Sequence, residues 1–262
     1  MRGEMANSAR RTAALKIGST SVAVLVADRR AEPLFQHLWV LGLMDAPDPQ
    51  ERLAPILQQL ASELGPATLV GVGEVGRRRP ELTGWLQRKR WPVWQLSGPE
   101  EARCAWWGVQ AGWRQAATVI DVGGGSTEVS DGTDAVSWPF GAAAPPTTDT
   151  WTVPRGLTGR AHGLVAVGGT ARALARIADQ EDRLSRAQLA AWLKHPDDLV
   201  RLGAAQGVEA ARLSLLAGGA RSLWCTLTLL GADGVEVSDA GLLQGLWLAA
   251  RLGRLARMPH AR

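Results

Sequence analysis

Two kinds of apolar pattern alternate along the chain. Residues 13–17 and 22–27 are short β-prone runs joined by the polar turn Gly18-Ser19-Thr20-Ser21, which predicts a strand–turn–strand unit. A third strand is expected over 38–43. Over 50–64 the side chains Leu53, Ile56, Leu57, Leu60 and Leu64 recur at helical spacing, and the run stops at Gly65-Pro66. Residues 68–72 and 92–96 read as strands around a helix at 80–89. Ser97, with Glu100 three residues on, forms a capping box for a helix reaching about residue 109. The second half repeats this grammar. Strands are expected at 118–122, 128–130, 135–138, 164–167 and 235–237, and helices at 168–177, 184–193, 210–230 and 240–255. Residues 145–154 form a Pro/Thr-rich connector.

One stretch stands out chemically: Asp121-Val122-Gly123-Gly124-Gly125-Ser126-Thr127-Glu128, which follows the strand-like run Thr118-Val119-Ile120. Glycine lets backbone approach a ligand where a Cβ would clash, and successive N–H groups in such a turn make an anion-binding concavity. Asp121 and Glu128 flank it with two carboxylates able to hold a cation or orient a water. The stretch reads as a phosphate-binding loop. Each half of the chain therefore has a strand–turn–strand unit with a glycine- and hydroxyl-rich turn, followed by β/α alternation. This predicts duplicated α/β halves, divided near residues 112–116: a tail at 1–12, then lobes at 13–114 and 115–262.

Composition changes this picture little. At 262 residues, 46% hydrophobic and 21% charged, the chain is an ordinary globular one. Tyrosine is absent and Trp numbers 12, so Trp fills aromatic positions. Net charge is +4, carried almost wholly by Arg, and the clusters Arg77-Arg78-Arg79 and Arg88-Lys89-Arg90 read as solvated faces rather than a nucleic-acid surface. Cys104 and Cys225 lie far apart and form neither a metal-ligand spacing nor a disulfide framework. No apolar run approaches the roughly 20 residues needed to span a bilayer, and a cytoplasmic protein is expected.

The motifs taken in order resemble the exopolyphosphatase / guanosine pentaphosphate phosphohydrolase (Ppx/GppA) family. Leu15-Lys16-Ile17-Gly18-Ser19-Thr20-Ser21 sits where that family has its first phosphate loop, and Ser97-Gly98-Pro99-Glu100-Glu101-Ala102-Arg103 is similar to its Ser-Gly-x-Glu-Glu-Ala-Arg segment. Residues 119–128 match the second phosphate loop, and Ser137-Trp138-Pro139-Phe140-Gly141-Ala142 the segment after it. Val167-Gly168-Gly169-Thr170-Ala171-Arg172 resembles the third glycine loop, and Val237-Ser238-Asp239-Ala240-Gly241-Leu242 the late Val-Ser-Asp-x-Gly-Leu segment. The resemblance implies a two-lobed actin-like (ribonuclease H-like) α/β fold, with duplicated mixed sheets flanked by helices and an interlobe cleft. It also implies Mg²⁺-assisted removal of a terminal phosphoryl group from inorganic polyphosphate or a guanosine alarmone, and a homodimer.

On this resemblance Glu101 is the catalytic carboxylate, and Asp121 and Glu128 serve the metal and the water. Gly18, Ser19, Thr20, Ser21, Gly123, Gly124, Gly125, Ser126, Gly168, Gly169 and Thr170 hold phosphate, with Lys16 and Arg77 as further candidate contacts. Several positions depart from the family pattern. Lys16 replaces an Asp, Ala23 and Ala144 stand where Arg is usual, and Leu243 and Gln244 replace Arg and Glu. Lys16 reverses the local field, either substituting for metal charge or repelling the metal. The alternative reading is a catalytically weak sensor of a phosphorylated ligand; a third is a kinase of the same superfold using ATP.

Overall fold

The computed structural model describes residues 12–28, 33–64, 68–111, 118–148, 150–157, 163–178 and 182–252. The tail expected at 1–12 lies outside them except for Thr12, the first residue of strand β1. The chain forms two compact units, one containing residues up to Leu96 plus the segment from Leu243, the other spanning Ser97–Leu242. Neither boundary is the expected one near 112–116.

The first unit is built on a five-stranded mixed sheet of order β3-β2-β1-β4-β5, with β1 at Thr12–Ile17, β2 at Ser21–Ala27, β3 at Pro33–Val40, β4 at Thr68–Val72 and β5 at Val93–Gln95. β1 and β2 are antiparallel, as are β2 and β3, whereas β1, β4 and β5 run parallel. Strands β1 and β2 are buried along almost their whole length, which is why they read as continuous apolar runs rather than alternating ones. Helices α1 (Pro49–Leu64), α2 (Glu74–Arg78) and α3 (Pro80–Arg88) follow within this unit. Leu53, Ile56, Leu57 and Leu60 of α1 and Leu82 and Leu86 of α3 join Val22, Val24 and Val26 of β2 in one core. The last helix, α10 (Leu242–Leu252), returns to this unit. Leu246 lies so close to Gly71 of β4 that a Cβ there would come within 2.6 Å of it, and Trp247 donates its indole N–H to the Thr12 carbonyl at 2.9 Å.

The second unit repeats the plan. Strands β6 (Thr118–Val122), β7 (Thr127–Ser130), β8 (Ala135–Trp138), β9 (Leu164–Val167), β10 (Arg183–Ser185) and β11 (Gly234–Ser238) form a sheet of order β10-β11-β9-β6-β7-β8. Removing the edge strand β10 leaves β8-β7-β6-β9-β11, the same order and the same directions as β3-β2-β1-β4-β5. This duplicated mixed-sheet unit flanked by helices is the actin-like α/β architecture expected. Helix α4 (Gly98–Gln110) begins the unit, and α5 (Gly168–Ile177), α6 (Arg186–Lys194), α7 (Pro196–Ala205), α8 (Ala210–Leu213) and α9 (Leu216–Leu230) complete it.

Three local expectations are corrected. The stretch 184–193 is not all helix: Arg183–Ser185 pairs antiparallel with β11, and Ser185 then caps α6, with Gln188 closing the capping box. The stretch 210–230 is two helices, broken at Ser214-Leu215. The third strand runs at 33–40 rather than 38–43. Among the described residues no helix is long and apolar enough to cross a membrane.

Candidate active site in the second unit

Helix α4 starts with the capping box expected of Ser97 and Glu100: the Glu100 carboxylate accepts the Ser97 backbone N–H and its hydroxyl, both at 2.7 Å. That arrangement consumes Glu100 and fixes the rotation of the first turn. Glu101, one residue on, faces inward and is 6% exposed. The approach of α4 to the sheet depends on Gly98, where a Cβ would collide with the Ser137 side chain on β8.

Across the β6–β7 ladder Asp121 pairs directly with Glu128. Both are buried, 4% and 3% exposed. Ser137, opposite Glu128 on β8, donates its hydroxyl to Glu128 Oε1 at 2.8 Å. The Glu128 carboxyl is pushed well above the usual range, first by burial and then by the negative charges of Glu101 and Asp121; hydrogen bonds from Ser126 and Ser137 pull the other way. The three acids singled out in the sequence therefore act on one another within this unit. Burial and the same helix-start carboxylates, Glu100 and Glu101, also raise the thiol of Cys104, which stays a protonated core group. Cys104 and Cys225 are free and buried.

The glycine hairpin between β6 and β7 closes through Gly123 N–H to the Ser126 carbonyl at 2.9 Å. Its carbonyls are occupied from behind: Ala142 N–H donates to Gly123 O and Ala143 N–H to Gly124 O, both at 2.8 Å. Among the described residues the N–H groups of Gly124 and Gly125 donate to no backbone carbonyl. A row of N–H groups beside a buried carboxylate pair is suited to an anion that carries its own cation. Thr127, also in the hairpin, spends its hydroxyl on the Phe140 carbonyl at 2.7 Å.

The third loop joins this group. Gly168 opens α5 at φ +90°, and a Cβ there would lie 2.6 Å from Asp121 Oδ1. Thr170 turns its methyl against Gly219 of α9 and so packs the loop onto that helix. Arg212 on α8 went unremarked in the sequence. Its guanidinium lies against Gly169, and burial lowers its pKa. A lone Arg on an amphipathic stretch carries no local signal of such a contact.

The remaining candidates belong to the first unit. Gly18 N–H bonds the Ser21 carbonyl at 2.9 Å, the same closure as Gly123 to Ser126. The carbonyls of Ser19 and Thr20 are occupied by N–H groups of Met44, Leu41 and Gly42, so this hairpin too is braced from behind. Lys16 pairs with Ala23 in the β1–β2 ladder, at the rung where the second unit has Asp121 and Glu128. Arg77 donates to the Leu96 carbonyl at 2.6 Å and to Glu74 at 2.9 Å, contacts that tie α2 to the end of β5. Among the described residues no group of three or more His, Cys, Asp or Glu side chains is arranged to hold a metal ion unaided.

A sequence model of the Ppx/GppA phosphatase family matches residues 81–144, the segment that holds Glu101, Asp121, the glycine hairpin and Glu128. No curated protein matches the chain significantly. Solved structures do. A Ppx/GppA family member from Aquifex aeolicus is 21% identical and superposes with a TM-score of 0.71, over 95% of this chain and 99% of that one. An exopolyphosphatase-like protein gives 0.75 at 19% identity over 93% and 98% of the two chains. An exopolyphosphatase from Cytophaga hutchinsonii gives 0.67 at 16% identity over 93% and 98%. The chain thus carries the Ppx/GppA phosphatase pattern across its three buried acids and, over more than nine-tenths of its length, the fold of solved Ppx/GppA proteins.

Proposed function

We propose that the chain hydrolyses the terminal phosphoanhydride bond of inorganic polyphosphate or of a guanosine alarmone such as pppGpp. The observation that carries the reading is the group of three buried carboxylates beside a hairpin in which, among the described residues, the Gly124 and Gly125 N–H groups have no backbone acceptor. Glu101 sits at the start of a helix with its carboxylate inside the protein, where it would take the proton of an attacking water. Gly124 and Gly125 would donate their N–H groups to the phosphoryl oxygens as charge develops on them.

Mg²⁺ fits the donor set, because it commonly binds one or two carboxylates and takes its other ligands from waters and substrate phosphates. Asp121 and Glu128 would hold it. Burial first, and then the negative charges of Glu101 and Asp121, drive the Glu128 carboxyl upward, and a cation would relieve the second of these. When bound, the ion would neutralise charge on the transferred phosphoryl group. We also assign the protein to the cytoplasm, where such substrates occur.

The test is phosphate release from polyphosphate, pppGpp and ATP, with and without Mg²⁺, for wild type and Glu101→Gln. Release from one of the first two that falls by about 10²-fold or more in the variant supports the proposal. Absence of release under every metal condition overturns it. A second reading, a sensor that binds a phosphorylated ligand with little turnover, is favoured by Lys16 and Ala23 at the rung equivalent to Asp121 and Glu128. It is distinguished by ligand-dependent thermal stabilisation without hydrolysis.

A further inference from the structure

Among the described residues strand β3 lies at the edge of the first sheet, with β2 on one side only. Residues 33–37 are exposed, including Leu34 at 50% and Phe35 at 41%. Edge strands are ordinarily protected by lysines, inward-pointing charges, bulges or short length. β3 is eight residues long and carries no Lys, Arg, Asp or Glu, its only proline is its first residue, and the one register shift against β2 lies at that same end, at Val26/Ala27. Along one face Phe35, His37 and Trp39 form a continuous aromatic row, with ring centroids 6.2 Å apart for Phe35–His37 and 4.4 Å for His37–Trp39.

The sequence of this strand is nearly the same in both directions. About His37 as centre, Phe35 and Trp39 are both aromatic, and Leu34 and Val40 are both aliphatic; only Gln36 and Leu38 differ in kind. A strand with that pattern is its own antiparallel complement. In a twofold pairing Leu34 would face Val40 of the second copy, Phe35 would face Trp39, Gln36 would face Leu38, and His37 would face its own counterpart. The aromatic row would run unbroken across the junction, with aromatic cross-strand pairs of the kind that stabilise sheets. We propose that β3 is the dimerisation edge of this protein, pairing with β3 of a second copy to give one continuous sheet across two chains. A twofold interface of this kind is isologous and closed, so it stops at a dimer.

The experiment uses the full chain. His37→Cys places a thiol opposite its own copy, within the distance at which a disulfide closes. The native cysteines are both buried and do not compete. Mild oxidation is expected to give a covalent dimer for His37→Cys. A mixture of Gln36→Cys and Leu38→Cys is expected to give a heterodimer, whereas Gln58→Cys, exposed on α1, gives none. His37→Lys sets two ammonium groups against each other and is expected to raise the dimer dissociation constant, measured by sedimentation, at least about tenfold. A wild type that sediments as a monomer at every concentration tested overturns the proposal. So does a dimer that survives His37→Lys unchanged while His37→Cys fails to cross-link. Because none of these residues belongs to the carboxylate site, phosphate release reports on the two proposals separately.

Discussion

Asp121 and Glu128 are direct cross-strand partners on β6 and β7, and the residues at the equivalent rung of β1 and β2 are Lys16 and Ala23. The two sheets share strand order and directions, and their hairpins close with the same backbone bond, so the comparison is position by position. Acidic chemistry is confined to one copy of the repeat. The other copy carries a positive charge and a methyl group at the same place.

Replacing Lys16 tests what that asymmetry does. Lys16→Asp restores a carboxylate at the rung matching Asp121, and Mg²⁺-dependent phosphate release is expected to rise by about tenfold, as electrostatic terms of this kind do. A fall in rate would show instead that the ammonium itself assists the anion.

Glu128 is expected to trade stability for function. Its carboxyl is raised in the folded protein, so its contribution to stability is full below the unfolded glutamate value of 4.5 and is lost as pH rises through the folded value. Above that range the buried carboxyl is therefore a burden on the fold. Glu128→Gln should unfold at a higher temperature than wild type at pH 7, by on the order of 2–4 °C per kcal/mol relieved. The difference should close below pH 4.5, while phosphate release is lost. Equal melting temperatures at pH 7 would contradict the burial argument.

Ser137 opposes the upward shift of the Glu128 carboxyl through a hydrogen bond of 2.8 Å. Removing it in Ser137→Ala pushes the carboxyl further up. If the ionised form is the working one, the acidic limb of the pH–kcat/KM profile moves to higher pH, with the plateau little changed. An unmoved limb would assign that limb to another group.

Gly168→Ala adds a methyl group 2.6 Å from Asp121 Oδ1 at a residue with φ +90°. A loss of roughly 1–3 kcal/mol in stability is expected from the backbone alone, together with a fall in phosphate release as Asp121 is displaced. Gly231→Ala is the control: its φ is +69°, but the space around it is open. It should lose stability and keep activity.

The parts of this molecule that were legible in the sequence are those decided locally. The two glycine-led hairpins, the Ser97–Glu100 box and the 68–72, 118–122 and 164–167 strands follow from turn chemistry and short-range apolar pattern, and each lies where expected. What was not legible depends on partners distant in sequence. Arg183–Ser185 is too short to show alternation and is a strand because β11 offers it an edge. Helix α7 was missed because it begins at Pro196, directly after α6 ends, where a proline reads as a terminator. The division at Leu96/Ser97 could not be read because α10 returns from the end of the chain to pack on β4. Glu101, Asp121 and Glu128 stand out by their motifs, and the fold buries all three within reach of one another's charge. Arg212 does not stand out, since only the fold brings it to Gly169.

Glu100 and Glu101 are chemically identical neighbours with opposite fates. The first is tied up in starting its own helix, which leaves the second rotated by one helical step into the interior. The reading frame of that single turn is thus what separates an acid that caps its helix from one that is buried. Deleting one residue between Ser97 and Glu101 would put Glu101 in the capping position and Ala102 in the inward one, and inserting one ahead of Glu100 would turn Glu100 inward and leave the box without its glutamate, so neither change of length keeps both roles filled.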